Sequence, residues 1–170
     1  MQKTLLILFL FFCKCLVFGQ NKKPKSRPPT TVNLPQYYKP QADSIRKFYK
    51  LNGFELLIAE FIVMESSYER AIILALEADT WYEFVFISDK GAHTQEVFLY
   101  DEAERKVLYK KKKWADVDGN IIDEAYIPRH SEYHMLKFVQ ECRKKRWLTT
   151  GFLLFKKTST AGPNTKYRKN

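Results

Sequence analysis

From Asp43 onward, apolar residues recur at intervals that define elements one after another. Ile45, Phe48 and Tyr49 stand at helical spacing behind Asp43 or Ser44, either of which can cap a helix, and Asn52-Gly53 ends it. The stretch "FELLIAEFIVM" (Phe54 to Met64) fits two readings. Phe54, Leu57, Ile58, Phe61 and Ile62 match a helix, whereas the β-branched and aromatic content suits a strand buried on both faces. "RAIILAL" is a short apolar run bounded by charge. "WYEFVFISDKG" alternates Trp81, Glu83, Val85 and Ile87 against Tyr82, Phe84 and Phe86, then turns at Asp89-Lys90-Gly91.

The strand signals continue to the end of this region. "EVFLYD" leads through the turn "EAER" into "KVLY", and Asp118-Gly119 is a hairpin signal. "EYHMLKFV" and "WLTTGFLLF" are expected to form a final pair joined through the basic run at 143–146. Many short strands with turn residues between them predict a mainly β fold. The expected architecture is an antiparallel β-sandwich, jelly-roll-like, with a short N-terminal helix.

The flanks read differently. Residues 1–19 carry Lys3, the apolar run Leu5 to Phe12 and the ending Val17-Phe18-Gly19, the layout of an export signal cleaved after Gly19. A membrane-spanning helix needs about 20 apolar residues, and Lys14 interrupts the run. A lipoprotein signal would use Cys13 or Cys15, but Phe12 and Lys14 stand where a small residue is wanted. Residues 20–42 are Pro-rich and basic without an acid, the composition of a disordered linker, and residues 158–170 form a basic tail of the same character. Residues 43–157 are left as one domain.

Charge narrows the function classes. The net charge of +10 lies outside the domain, because residues 43–157 hold 19 basic and 19 acidic side chains. Within the domain, 43–104 carries 5 basic against 13 acidic residues, and 105–157 carries 14 against 6. If the two parts interleave in a sheet, acidic and basic strands neutralise each other. If they do not, a positive face steers anions toward the protein. A neutral core in an exported protein argues against nucleic acid as a target.

"LEADTWYEFVFISDKG" followed by "VFLYDEAERKVL" resembles secreted bacterial β-sandwich accessory domains of the pre-peptidase C-terminal kind. The chain is also similar to small exported proteins of Gram-negative bacteria built around one such domain. The likeness covers about Leu76 to Leu108 and implies a sandwich fold in an envelope setting. It supplies no catalytic residues. The Gly-x-Tyr strand usual near the end of such domains is replaced here by "TTGFLLF".

Candidate chemistry is sparse. In "HSEYH" a strand would place His130, Glu132 and His134 on one face, two imidazoles and a carboxylate of the kind that bind zinc and activate water. The helical H-E-x-x-H signature is missing. "DVDGNIIDE" is similar to a calcium loop at Asp116, Asp118 and Asn120, but Ile121 and Ile127 stand where Gly and Glu are required, so a turn explains it better. Cys142, the one cysteine outside the signal, is expected to be buried, with a free thiol as the other reading. No nucleophile elbow and no cofactor motif is found.

The functional expectation is an exported, non-enzymatic accessory of the cell envelope, with no transmembrane helix after signal removal. It would be periplasmic, bound to the outer membrane or secreted. Its candidate binding residues are Lys110, Lys111, Lys112, Lys113, Trp114, Arg143, Lys144, Lys145 and Arg146, with an anionic glycan, a lipid head group or another envelope protein as partner. The alternative is a small metal-dependent hydrolase using His130, Glu132 and His134. The bland expectation for Lys110 to Lys113 is a solvated strand end whose charge the acidic part of the domain offsets.

Overall fold

The computed structural model describes residues 35–113, 119–144 and 147–158. One helix, α1 (Tyr38–Leu51), is followed by eight strands: β1 (Phe54–Glu65), β2 (Arg70–Leu76), β3 (Tyr82–Ser88), β4 (Thr94–Tyr100), β5 (Lys106–Lys113), β6 (Ile121–Tyr126), β7 (Glu132–Glu141) and β8 (Trp147–Lys157). They form two four-stranded antiparallel sheets, sheet 1 in the order β1-β8-β3-β6 and sheet 2 in the order β2-β7-β4-β5. The chain changes sheet at every step except β4 to β5, the order of a jelly roll. The expected sandwich with a short N-terminal helix is the observed fold.

Phe54 to Met64 is strand, not helix. Its β-branched and aromatic residues pair with β8 along nearly the whole length, and that partner decides what local pattern left open. Two other expectations are corrected. Gly119 leads into β6, which pairs with β3 rather than β5, so Asp118-Gly119 does not close a hairpin between neighbours. Asp118 itself lies outside the described residues. Likewise β7 and β8 belong to different sheets and do not form a pair. Local turn chemistry specifies a reversal but not whether the next strand stays in the same sheet.

α1 begins at Tyr38, ahead of Asp43 and Ser44 and inside the stretch read as linker. Pro40 falls in the first turn, where its missing N–H costs no helical hydrogen bond. Tyr38 is buried against sheet 1 and needs Gly151 beneath it, since a Cβ there would fall within the Tyr38 ring. At the other end the chain leaves the helix through Gly53, whose φ of 75° a side chain would resist.

β3 and β8 are covered on both faces. Inside the sandwich Tyr82, Phe84, Phe86, Phe152 and Leu154 pack with Leu99, Ile122, Leu136 and Phe138. On the outside of sheet 1, Val85, Ile87, Leu153 and Phe155 pack under Tyr38, Ala42 and Tyr49 of α1. Tyr49 stacks on Phe155 with ring centroids 4.5 Å apart, and Tyr38 meets Phe61 edge-on at 5.1 Å. The domain therefore has three layers on this side.

The acidic and basic parts of the chain interleave completely. β1 to β4 come from the acidic part and β5 to β8 from the basic part, and in both sheets the two sets alternate. Ion pairs cross the seams: Lys111 to Glu96 at 2.6 Å, Lys137 to Glu69 at 3.1 Å and Lys156 to Glu77 at 2.7 Å.

Candidate functional site

Lys110 to Lys113 form the second half of β5, an edge strand, and lysines there discourage another chain from adding to the sheet. Alternation sends them two ways. Lys110 turns inward and meets Glu124 of β6 at 2.7 Å, while Lys112 donates to the Ile121 carbonyl at 2.6 Å. These two lysines tie the edge of sheet 2 to the edge of sheet 1. Lys111 turns outward onto Glu96, which also accepts from the Tyr109 hydroxyl at 3.2 Å. The hydrogen bond to Glu96 raises the Lys111 pKa and keeps its ammonium charged. The expected offset by the acidic part of the chain is met for Lys111; Lys110 finds its acid in the basic part, and Lys112 meets a carbonyl oxygen.

Lys113 belongs to a different setting. Thr94 is its partner in register, and Thr94 also pairs with Glu141 of β7. The ends of β5 and β7 thus flank the start of β4, and Arg143 and Lys144, both exposed, follow Glu141 after Cys142. Lys90 stands at the same end in the β3–β4 turn, 4.8 Å from the Tyr37 ring centre. His93 in that turn donates its backbone N–H to the Glu141 carbonyl at 2.8 Å. Lys90, Lys113, Arg143 and Lys144, from three separate stretches, thus lie at or just beyond strand ends on this side of the sandwich, around Glu141, whose carboxylate lies 3.5 Å from His93 Nε2. Trp114, Asp116, Lys145 and Arg146 lie outside the described residues.

At this end the sandwich interior is polar. Ser88, Gln95, Gln140 and Thr150 are fully buried, and Gln95 pairs in register with both Lys112 and Gln140. Gln140 accepts from the Asp89 N–H at 2.9 Å, and Thr150 donates to the Ile87 carbonyl at 3.3 Å. The Gln95 amide, by contrast, has neither its nitrogen nor its oxygen satisfied among the described residues, and the Ser88 hydroxyl is in the same position. An unpaired buried polar group costs about 1–3 kcal/mol. Near this end Asn120 exchanges hydrogen bonds with the Gln41 side chain of α1 at 3.0 and 3.1 Å.

The histidine cluster is at the opposite end of β7. His134 points into the sandwich and is fully buried, whereas His130 precedes the strand and is exposed. His134 Nε2 lies 3.1 Å from the Tyr126 hydroxyl and 3.6 Å from Glu132 Oε1, and Nδ1 lies 3.3 Å from the Glu132 carbonyl. Glu132 and His134 come together as the alternation implies, with both ring nitrogens facing protein partners. No group of three His, Cys, Asp or Glu side chains placed to hold a metal occurs among the described residues. Cys142 is half-buried against the core rather than fully enclosed, and its N–H donates to Ser66 Oγ at 2.9 Å.

Sequence reasoning missed a carboxyl pair under α1. Glu83 and Asp123 project from β3 and β6 onto the outer face of sheet 1, where the Tyr49 hydroxyl donates to Asp123 at 2.6 Å and the Trp81 N–H to Glu83 at 2.8 Å. Burial, and after it the Asp123 charge, lift the Glu83 carboxyl from 4.5 to about 7. Desolvation of its carboxyl likewise raises Asp123, although the residue as a whole is exposed, against the pull of the Tyr49 hydrogen bond. The available signal was Glu83 itself, an acid in the middle of the otherwise apolar "WYEFVFI".

Among the described residues no helix is long and apolar enough to cross a membrane. No family model matches the chain, and no curated protein matches it closely enough to count as a relative.

Proposed function

We propose that the protein is an exported, non-enzymatic accessory domain of the cell envelope that binds anionic groups, such as those of a glycan or a lipid head group, at the basic rim of sheet 2. The observation that carries this reading is the double pairing of Thr94 with Lys113 and Glu141, which brings Arg143 and Lys144 beside the end of the lysine strand. Export rests on residues 1–19 and on the resemblance to secreted accessory domains.

The test is retention of the full chain on anionic liposomes and on an acidic polysaccharide, at low and moderate salt. Wild-type protein is retained at low salt and released as exposed charges are screened, over about 10 Å at 0.1 M. Lys113→Gln with Arg143→Gln and Lys144→Gln weakens retention, while Lys111→Gln leaves it nearly unchanged. Equal retention of wild type and triple variant assigns the binding to the basic termini and ends this reading.

A further inference from the structure

We propose that two copies of this chain pair through β2, antiparallel across a two-fold axis near Ile73, joining their second sheets into one of eight strands. A sheet edge offers unpaired N–H and C=O groups to any strand that fits, and proteins guard such edges with charge, bulges or shortness. Three of the four edges here are guarded. β5 carries five lysines. β6 is six residues long and includes Asp123 and Glu124. β1 carries Glu55, Glu60 and Glu65 and is broken by a register shift between Leu56 and Ile58.

β2, seven residues long, has no bulge and its single charge, Arg70, stands at its first position. From Ala71 to Leu76 it contains no charge, proline or glycine, and its seven residues pair with β7 without a register shift. Ile73 is 62 % exposed on its outer face, and Tyr133 on the adjoining strand is 64 % exposed.

The sequence of β2 suits a second β2. With the axis at Ile73, Ala71 of one copy lies opposite Ala75 of the other, and these small residues leave room for the two Ile73 side chains. Tyr133 is the register partner of Ala75, so its ring stands over the same apolar seam. Antiparallel pairing brings Arg70 of each copy to the Leu76–Glu77 end of its partner, a favourable charge contact. Glu69 and Glu77 also approach there, but Lys137 and Lys156 already engage them at 3.1 and 2.7 Å. An isologous pairing of this kind closes on itself and adds no further copies.

The test uses the full chain as its exporting cell processes it, under reductant so that Cys142 cannot link copies. Mass from sedimentation equilibrium across a hundredfold concentration series is expected to show a monomer–dimer equilibrium. Ile73→Lys, which changes an exposed side chain and is checked for folding by circular dichroism, is expected to raise the dissociation constant at least tenfold. Ile73→Thr, which keeps strand propensity and adds no charge, is expected to shift it far less. Amide exchange of residues 71–75 should slow as concentration rises. A monomer throughout the series, or a dimer indifferent to Ile73→Lys, overturns the proposal. So does protection of residues 71–75 that is independent of concentration, since the edge would then be covered by a segment of the same chain.

Discussion

The outer faces of the two sheets are built from the same period-two alternation and have opposite fates. On sheet 1, Val85, Ile87, Leu153 and Phe155 are at most 1 % exposed, because α1 lays Tyr38, Ala42 and Tyr49 across them. On sheet 2 the corresponding rows hold Ile73, Tyr109 and Tyr133, each at least 45 % exposed, among ion-paired Lys111 and Lys137. One sheet is a wall with a third layer, and the other is a surface. A helix supplied from the N-terminal side closes the first sheet and leaves the outer face of the second open.

The largest expected effect sharpens this contrast directly. Phe155→Ala opens a hole beneath Tyr49 and is expected to cost about 3–5 kcal/mol, as such core truncations do. Tyr133→Ala on the bare face is expected to change stability by less than about 0.5 kcal/mol. Urea unfolding of both variants, with unchanged slopes, measures the difference. Similar losses at the two positions would mean that the outer face of sheet 2 is also covered.

Much of the contrast was legible in the sequence. "EFVFI" and "GFLLF" are apolar at nearly every position, and a strand with no polar face has both faces buried. Two strands of sheet 2, in "YHMLKFVQE" and "YKKKK", carry charged side chains within the strand, the mark of a surface. What covers sheet 1 was not legible beyond Ile45, Phe48 and Tyr49, because the buried Tyr38 lies among prolines that read as linker, and Phe48 proves 56 % exposed. Sheet assignment was equally hidden. Gly119 and the basic run at 143–146 announce turns, but a crossing between layers is decided by partners distant in the chain. The same limit applied to the rim: Lys113 and Arg143 were both recognised as basic, yet only the pairing of Thr94 with Lys113 and with Glu141 puts the strand ends that carry them on either side of β4.

The next effect is a pH dependence confined to the covered face. Unfolded Glu83 titrates near 4.5 and folded Glu83 near 7, so the folded state holds the extra proton between those values. Stability is therefore untouched below about pH 4.5, falls as pH rises through that window, and stays reduced above 7. Glu83→Gln retains an acceptor for Trp81 and a donor for Asp123 without the charge. It is expected to match wild type near pH 4.5, exceed it above 7 and flatten the profile of melting temperature against pH. An unchanged profile would remove Glu83 as its source.

The smallest effect lies at an ion pair on the bare face. Glu96→Gln loosens Lys111, and a double-mutant cycle over the two positions is expected to give a coupling near the limit of measurement that fades with added salt. A large, salt-insensitive coupling would mean that the pair is shielded from solvent and that sheet 2 is less open than its exposed rows indicate.

The division into a closed face and a proposed binding end is tested most directly by mapping where an anion acts. Backbone amide shifts of the full chain, titrated at low salt with a short acidic oligosaccharide, report every candidate surface at once. α1 is the control, since it carries Lys39, Arg46, Lys47 and Lys50 on the covered side. The account predicts saturable shifts at Lys90, Lys113, Arg143 and Lys144 and around Gln95, with α1 unmoved. Shifts centred on α1, or confined to residues outside 35–158, would contradict it.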